Sequence, residues 1–314
     1  MASDLVIYPY EAGLRVEWDA FVQRSKNGTF LFQRDYMEYH SDRFDDCSFL
    51  VLAGSEIVAL FPANRSGSEI HSHQGLTYGG LVTDEAMTTP LFLDVFSALV
   101  RHLRKMNVQR LFYKTIPMIY HRLPSEEDRY AMFLTDATLY RRDVLSVVAM
   151  PQATPMQKRR YRGASKAAKH SVIVSESQDW PAYWRLLTGH LRDRFGVDPV
   201  HTLSEIEHLR RRFADGIHLH VACLGEEILA GVVIYESSRV AHVQYICSSE
   251  RGRELGALDM LFVSLLSETY SSKSFFDFGI SNTEDGKVLN RGLVDQKEGF
   301  GARAVAHDFY RLEL

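Results

Sequence analysis

Hydrophobic and polar positions along the chain alternate between runs of period two and runs of period near 3.6. The clearest succession lies between residues 240 and 281. Residues 240–247 (Val-Ala-His-Val-Gln-Tyr-Ile-Cys) interleave β-branched and aromatic side chains with polar ones and predict a strand. Residues 248–257 carry Arg251, Gly252, Arg253 and Gly256 in a polar setting and predict a turn. From Glu254 onward Leu255, Leu258, Leu261, Phe262, Leu265 and Leu266 recur at helical spacing, and residues 273–279 return as a short strand ending in glycine. A helix that starts behind such a turn offers unpaired N–H groups and the positive end of its dipole, a ready place for a phosphate.

Elsewhere the same periods divide the chain into two similar halves. The first opens with a helical pattern around Trp18, Phe21 and Val22, broken at Asn27-Gly28, and an apolar-aromatic stretch over residues 30–39. Residues 48–53 and 57–61 read as an antiparallel hairpin, with a short strand near Ile70. A glycine-rich segment, 75–81, precedes a helix with Leu91, Phe92, Val95, Leu99, Leu103 and Met106 on one face, and residues 110–114 follow as a strand. Residues 131–134 and 139–150 predict two more strands, and Pro151 and Pro155 bracket a boundary. The second half begins with a basic helix over 156–170 and a strand over 171–174. Helices follow over 180–194 and 203–213, then a hairpin, 217–224 with 227–235, that turns at Gly225-Glu226. The order of elements repeats while the residues do not, which predicts two tandem copies of one α/β (α+β) fold, residues 1–150 and 151–314, each a central mixed sheet flanked by helices.

Composition narrows the class. The chain has 314 residues, 46% of them hydrophobic, enough for two ordinary cores. A net charge of −4 argues against a protein that coats DNA through bulk charge, although a local basic patch is compatible with it. Cys47, Cys223 and Cys247 form no CxxC pair and read as reduced, buried thiols. No apolar run approaches the roughly 18–20 residues that span a bilayer, and the first residues do not pair a basic region with a hydrophobic one. The expectation is a cytoplasmic protein acting on small molecules, without membrane or DNA partners.

The hairpin, strand, turn, helix and diverging strand, with Arg253-Glu-Leu-Gly256-Ala-Leu258 at the turn, resemble the acyl-CoA-binding core of the GNAT acyltransferases. Leu258 stands where that family often has Gly or Ala. The basic run 158–170 before a Val-Ile-Val strand, Phe276-Asp-Phe-Gly279, and Lys297-Glu-Gly-Phe-Gly301 are similar to the FemAB-type, tandem-GNAT branch, and Tyr78-Gly-Gly-Leu81 extends the likeness to the first half. The resemblance implies a degenerate first copy on the acceptor side and a second copy that binds acyl-CoA. Members of this branch move amino acids from tRNA to peptidoglycan precursors, or acyl groups from coenzyme A to amino sugars in surface-polysaccharide pathways such as lipopolysaccharide biosynthesis.

N-acyl transfer needs a polarised thioester carbonyl, a deprotonated amine and a proton for the leaving thiolate. Strands that splay after Ile246, Cys247 and Ser248 would free N–H groups for the pantetheine arm and the thioester oxygen. The pyrophosphate would rest on the N–H groups of Arg253, Glu254, Leu255, Gly256 and Ala257, with Arg251 and Arg253 adding charge, and Asn282 lies just beyond the returning strand. His242 and Gln244 alternate with Val243 and Tyr245, so one pair faces the active side of the sheet; His242 is the candidate base, with Asp277 and Glu284 as rival carboxylates. A lone strand histidine is also commonly structural. Tyr270 is placed to protonate the thiolate or simply to pack. Lys297 sits in the Lys-x-x-Phe-Gly setting that lies near substrate in the resembling enzymes, and alternatively is a surface lysine.

Six cations fall within residues 158–169, with Lys158, Arg162, Lys166 and Lys169 on one helical face, suited to a diphosphate, the 3′-phosphate of coenzyme A or tRNA, or else simply solvated. Tyr78, Gly79 and Lys114 in the first half, and Arg162 and Gln244 in the second, are the substrate-side candidates. His71 and His73 share a strand face without a nearby cysteine or carboxylate cluster, so no metal is expected. The leading reading is a direct, ternary-complex transfer from acyl-CoA to a nucleotide-linked amino sugar, since no Cys–His or Ser–His pairing suggests an acyl-enzyme. The alternatives are a FemAB-type aminoacyl-tRNA-dependent transferase, the one case that brings in tRNA, and a non-catalytic binding module.

Overall fold

The computed structural model describes residues 5–151 and 154–314. Gln152 and Ala153, within the segment read as a boundary, lie outside the described residues. The chain divides into two compact units. One runs to Asp143 and takes back residues 285–287 and Ala306–Leu314; the other holds Val144–Glu284 and Val288–Val305. The sequence pattern placed the change at residues 150 and 151; the units change after Asp143, inside the strand Thr138–Ala149, and the C-terminal strand Arg303–Glu313 ends in the first unit.

In the first unit, Leu5–Pro9, Phe49–Ala53, Glu56–Phe61 and Val82–Thr83 form a four-stranded antiparallel sheet. Arg110–Lys114 lies between residues 309–313, antiparallel to it, and Glu69–His71, parallel to it. The helix Thr89–Lys105 starts where Thr88 accepts from the Leu91 N–H and a proline occupies the first turn. Its apolar stripe of Phe92, Val95, Phe96, Leu99 and Leu103 is buried with Phe49, Phe61 and Leu111. Residues 131–134, read as a strand, are instead the end of a helix, Glu127–Leu134. Four consecutive apolar residues carry no period, and the acidic first turn together with the buried Asp128, Ala131 and Met132 at helical spacing decides for the helix.

In the second unit, Ile173–Glu176, Ile217–Leu224, Glu227–Glu236 and Val240–Ser248 are successive antiparallel neighbours. Phe275–Ile280 then joins parallel to Val240–Ser248 and antiparallel to residues 145–149, which makes the sheet mixed. Leu261, Phe262 and Leu265 of the helix Ala257–Ser264 and the turn after it are buried against Val232, Ile234, Val243 and Phe276. Phe262 meets Phe278 and Phe300 edge-on at ring-centroid distances of 4.9 and 5.2 Å. Truncating such a ring to Ala costs about 3–5 kcal/mol.

Gly256 organises this layer. At φ +78° it ends the helix Glu250–Leu255 and begins Ala257–Ser264, a left-handed conformation that favours glycine. It also lets the basic helix Lys158–Lys169 approach, since a Cβ on Gly256 would lie 2.5 Å from the Gly163 carbonyl oxygen.

Candidate functional site

The strand Val240–Ser248 and its parallel neighbour Phe275–Ile280 stay paired for three positions only, Val240 with Phe275, Ala241 with Phe276 and His242 with Asp277. Beyond them the two strands part. The parting has a visible cause on the opposite edge: Val233 pairs with Tyr245 and Ile234 with Val243, so Gln244 is an extra residue, a bulge that bends and twists its strand. The bulge also reverses the side-chain parity. Val243 is buried with Leu261 and Phe262, whereas Tyr245 meets Trp184 edge-on at 5.2 Å and its hydroxyl bonds His201. Strict alternation put Val243 and Tyr245 on one face; the structure puts them on opposite faces because an inserted residue shifts the period by one.

His242 and Asp277 meet where the pairing ends. Nδ1 of His242 bonds Oδ2 of Asp277 at 2.9 Å, and Oδ1 of Asp277 accepts the Gly279 N–H at 2.7 Å. The carboxylate is buried and the imidazole side chain is 12% exposed. A carboxylate on Nδ1 fixes the tautomer that leaves Nε2 as the basic nitrogen. Lys297 comes to the same place from the helix Arg291–Glu298, whose cap is the Asn290 side chain accepting from Leu293. Its ammonium donates to the carbonyls of Gly279 at 3.0 Å and Ile280 at 2.6 Å. Burial pulls the Lys297 pKa down to about 8, and Asp277 opposes that shift. Three of the catalytic candidates, His242, Asp277 and Lys297, are therefore gathered at the fork.

Tyr270 is not. Its hydroxyl bonds Nε2 of His220 at 2.8 Å in the buried layer beside Phe276, and burial raises its pKa.

The turn after the strand differs from the expected cradle. Residues 250–255 form a helix, and their N–H groups are largely consumed there: Arg253 donates to the Ser249 carbonyl at 3.0 Å and Gly252 to the Ser249 hydroxyl at 3.0 Å. Gly256 faces Gly163, Ala257 is buried, and the Glu254 carbonyl accepts from Lys166 at 2.6 Å. Leu255 packs against the core, and Arg251 is ion-paired with Glu227 on the surface. The N–H groups from Arg253 to Ala257 are thus mostly engaged within the fold. What opens beside the turn is a cavity of about 610 Å³ lined by Ser248, Ser249, Glu250, Arg253, Leu186, Gly189, His190, Asp193 and Arg194. Arg253 also donates to the Ser248 carbonyl at 3.0 Å.

Of the other cofactor-side candidates, Ile246 is partly exposed and Cys247 is buried. Burial pushes the Cys247 thiol up to about 12. Burial also raises Cys47, to about 11, and Cys223. Asn282 is buried, its Oδ1 accepting the Val144 N–H at 2.8 Å.

The substrate-side candidates are dispersed. Tyr78 is buried with its hydroxyl bonded to Thr29 at 2.8 Å, Gly79 lies against the Ser72 carbonyl, and Lys114 donates to the Leu76 carbonyl. Burial drops the Lys114 pKa to about 7. Tyr78 and Gly79 are buried in the first unit, and Lys114 is half-buried there. Arg162 is exposed on its helix, and Gln244 is the bulge residue. Sequence reasoning missed the cavity wall supplied by the helix Trp180–Phe195. Gly189 inside that helix was the one available signal, because an interior glycine interrupts a helical pattern.

Residues 156–285 match the family model described as an acetyltransferase (GNAT) domain. No curated protein matches the chain in sequence. Among solved structures, the chain is similar to FemX at 11% identity and TM-score 0.67, covering 94% of this chain and 95% of that one. It is similar to L-PGS from Bacillus licheniformis at 11% identity and TM-score 0.61, covering 98% and 93%. A tandem GNAT protein from the clavulanic acid biosynthesis pathway is similar at 12% identity and TM-score 0.54, covering 99% and 98%. At these identities the likeness is one of fold. The chain has a tandem GNAT-like fold with a large mixed sheet flanked by helices, and residues 156–285 are the part that matches the acetyltransferase (GNAT) domain model. Among the described residues no helix is long and apolar enough to cross a membrane.

Proposed function

We propose that the protein transfers an acyl group from acyl-CoA to the amine of a nucleotide-linked amino sugar by direct attack in a ternary complex, a step of surface-polysaccharide biosynthesis. The observation that carries the reading is the fork, where strand pairing stops at His242 and Asp277 and the two side chains bond to each other. The thioester carbonyl lies in the fork and accepts from N–H groups that Val240–Ser248 no longer shares with its parallel neighbour. The amine nitrogen attacks the carbonyl carbon while Nε2 of His242 takes its proton. The C–S bond breaks as the C–N bond completes, and the imidazolium returns the proton to the thiolate. Asp277 orients the ring and stabilises its charged form. Lys297 braces the carbonyls of Gly279 and Ile280 and keeps a positive charge near the developing oxyanion. Direct attack also agrees with the cysteines, since thiols raised by burial are poor nucleophiles near neutral pH.

The test is release of free thiol from a panel of acyl-CoAs in the presence of nucleotide-linked amino sugars. Acceptor-dependent release that His242→Ala reduces is the expected result. Release that no acceptor accelerates removes the reading.

A second reading, aminoacyl transfer from tRNA to a peptidoglycan precursor, is favoured by one feature. Lys158, Arg162 and Lys169 are exposed and have no carboxylate partner among the described residues. Retention of tRNA that weakens steeply with salt, together with silence toward every acyl-CoA, would select it.

A further inference from the structure

We propose that the helix Trp180–Phe195 carries a seat for a nucleoside diphosphate that crosses the helix at Gly189, with the diphosphate against Arg194 and Arg253 and the base in the hollow beside Trp184 and Leu203. The proposal deepens the donor-binding reading above and rests on it.

Two hollows flank this helix. One is the cavity of about 610 Å³ that reaches Arg253; the other, about 440 Å³, is lined by Pro181, Trp184, Arg185, Thr188, Arg192 and Leu203. Gly189 lines both. Packing does not account for it. A Cβ at Gly189 would meet nothing within 4 Å, whereas one at Gly163, Gly231, Gly252 or Gly256 would collide with a neighbour. Glycine is an unfavourable residue inside a helix, so a glycine there with empty space around it marks a path kept low for something the helix does not itself supply.

Charge identifies the occupant. Arg194 and Arg253 have no carboxylate partner among the described residues, nor does Arg185 on the rim of the second hollow, while Arg192 is paired with Asp198 at 2.6 Å. Burial, then Arg194 and Arg253, hold the His190 pKa below its ordinary value, so both guanidinium groups act on the space this ring faces. Asp193 and Glu250 share the lining. A bare phosphate has nothing to offer those carboxylates, but a nucleotide has ribose hydroxyls to donate to them. Trp184 supplies an aromatic edge next to Leu203 for a base.

The same chemistry occurs in the nucleotide half of coenzyme A and in a nucleotide-linked sugar. Calorimetric binding of ADP, UDP and coenzyme A to the whole protein separates them, using wild type, Gly189→Ala, Gly189→Leu and Arg253→Glu. Gly189→Ala should raise Tm, because alanine is the better helix former and has room, and yet weaken nucleotide affinity about tenfold. Gly189→Leu should abolish binding. Coenzyme A bound more tightly than UDP assigns the seat to the donor, and the reverse order to the acceptor. Unchanged affinity in both Gly189 variants overturns the proposal, and if Arg253→Glu still removes binding, the donor-binding reading survives alone. If the wild type binds none of the three nucleotides, both fall.

Discussion

The glycine-rich loop of the first unit and the fork of the second start from similar material, glycines and aromatics beside a strand, and end in opposite conditions. In the loop the chain uses its own polar atoms. Tyr78 bonds Thr29, the Leu81 N–H donates to the Tyr113 hydroxyl at 2.8 Å, and Lys114 donates to Leu76. At the fork, His242 spends one ring nitrogen on Asp277, and in the cavity beside the turn that follows this strand Arg194 and Arg253 lack carboxylate partners among the described residues. Buried polar groups are normally satisfied, so the chemistry of a segment is read from what remains unspent after folding. By that measure Tyr78 and Gly79 are spent inside the first unit, and the site proposed above belongs to the second.

The largest test of the contrast is catalytic. His242→Ala should lower kcat for acyl transfer by roughly 10²–10⁴-fold, the usual contribution of a general base, and lower Tm as well, since the buried Asp277 carboxylate loses a partner. Asp277→Asn should lower it too, through loss of the fixed tautomer. Thiol release measures both, and a His242→Ala enzyme with wild-type kcat would break the comparison.

Next in size is Gly79→Ala, whose methyl would collide with the Ser72 carbonyl. It should cost about 1–3 kcal/mol in chemical denaturation while leaving KM for either substrate as in wild type. A changed KM at unaltered stability would return Gly79 to the substrate site.

Two buried groups sharpen the comparison through pH. Burial raises the Asp128 pKa from 3.8 to about 7, so between those values the folded form keeps a proton that the unfolded chain has lost, and its contribution to stability falls as pH rises. Lys297 has the opposite sign. With its pKa lowered from 10.5 to about 8, the unfolded chain binds the extra proton in that window, and the contribution rises with pH. Denaturation midpoints should show Asp128→Asn flattening the acid-side slope and Lys297→Met the alkaline one. Parallel slopes in variant and wild type would contradict the burial that causes these shifts.

The smallest effect belongs to Arg251→Ala. Its exposed pair with Glu227 is of the kind that contributes about 0–1 kcal/mol, and coenzyme A affinity should hardly move. A loss equal to that of Arg253→Glu would mean that the turn, and not the cavity beside it, grips the ligand.

Much of this was legible beforehand. The hairpin 217–224 with 227–235, the strand at 240–247 and the following helix announce themselves by period, and His242, Asp277 and Lys297 stood out by residue type. What misled was local. The four-residue run 131–134 has no period to read, and Tyr270 looks reactive at a helix end until His220 claims its hydroxyl. The sequence marks Arg253 at the turn, whereas the other wall of the cavity it lines comes from residues 186–194, some sixty positions earlier.

By itself the sequence determined the succession of elements and the mixed α/β class, since hydrophobic period is a property of neighbours along the chain. Only tertiary structure decided where the parallel ladder stops, that Gln244 is an extra residue that flips Tyr245 away from Val243, and which arginines are left without carboxylates. Those outcomes depend on pairing register and long-range packing, in which one inserted residue or one distant carboxylate reverses the result.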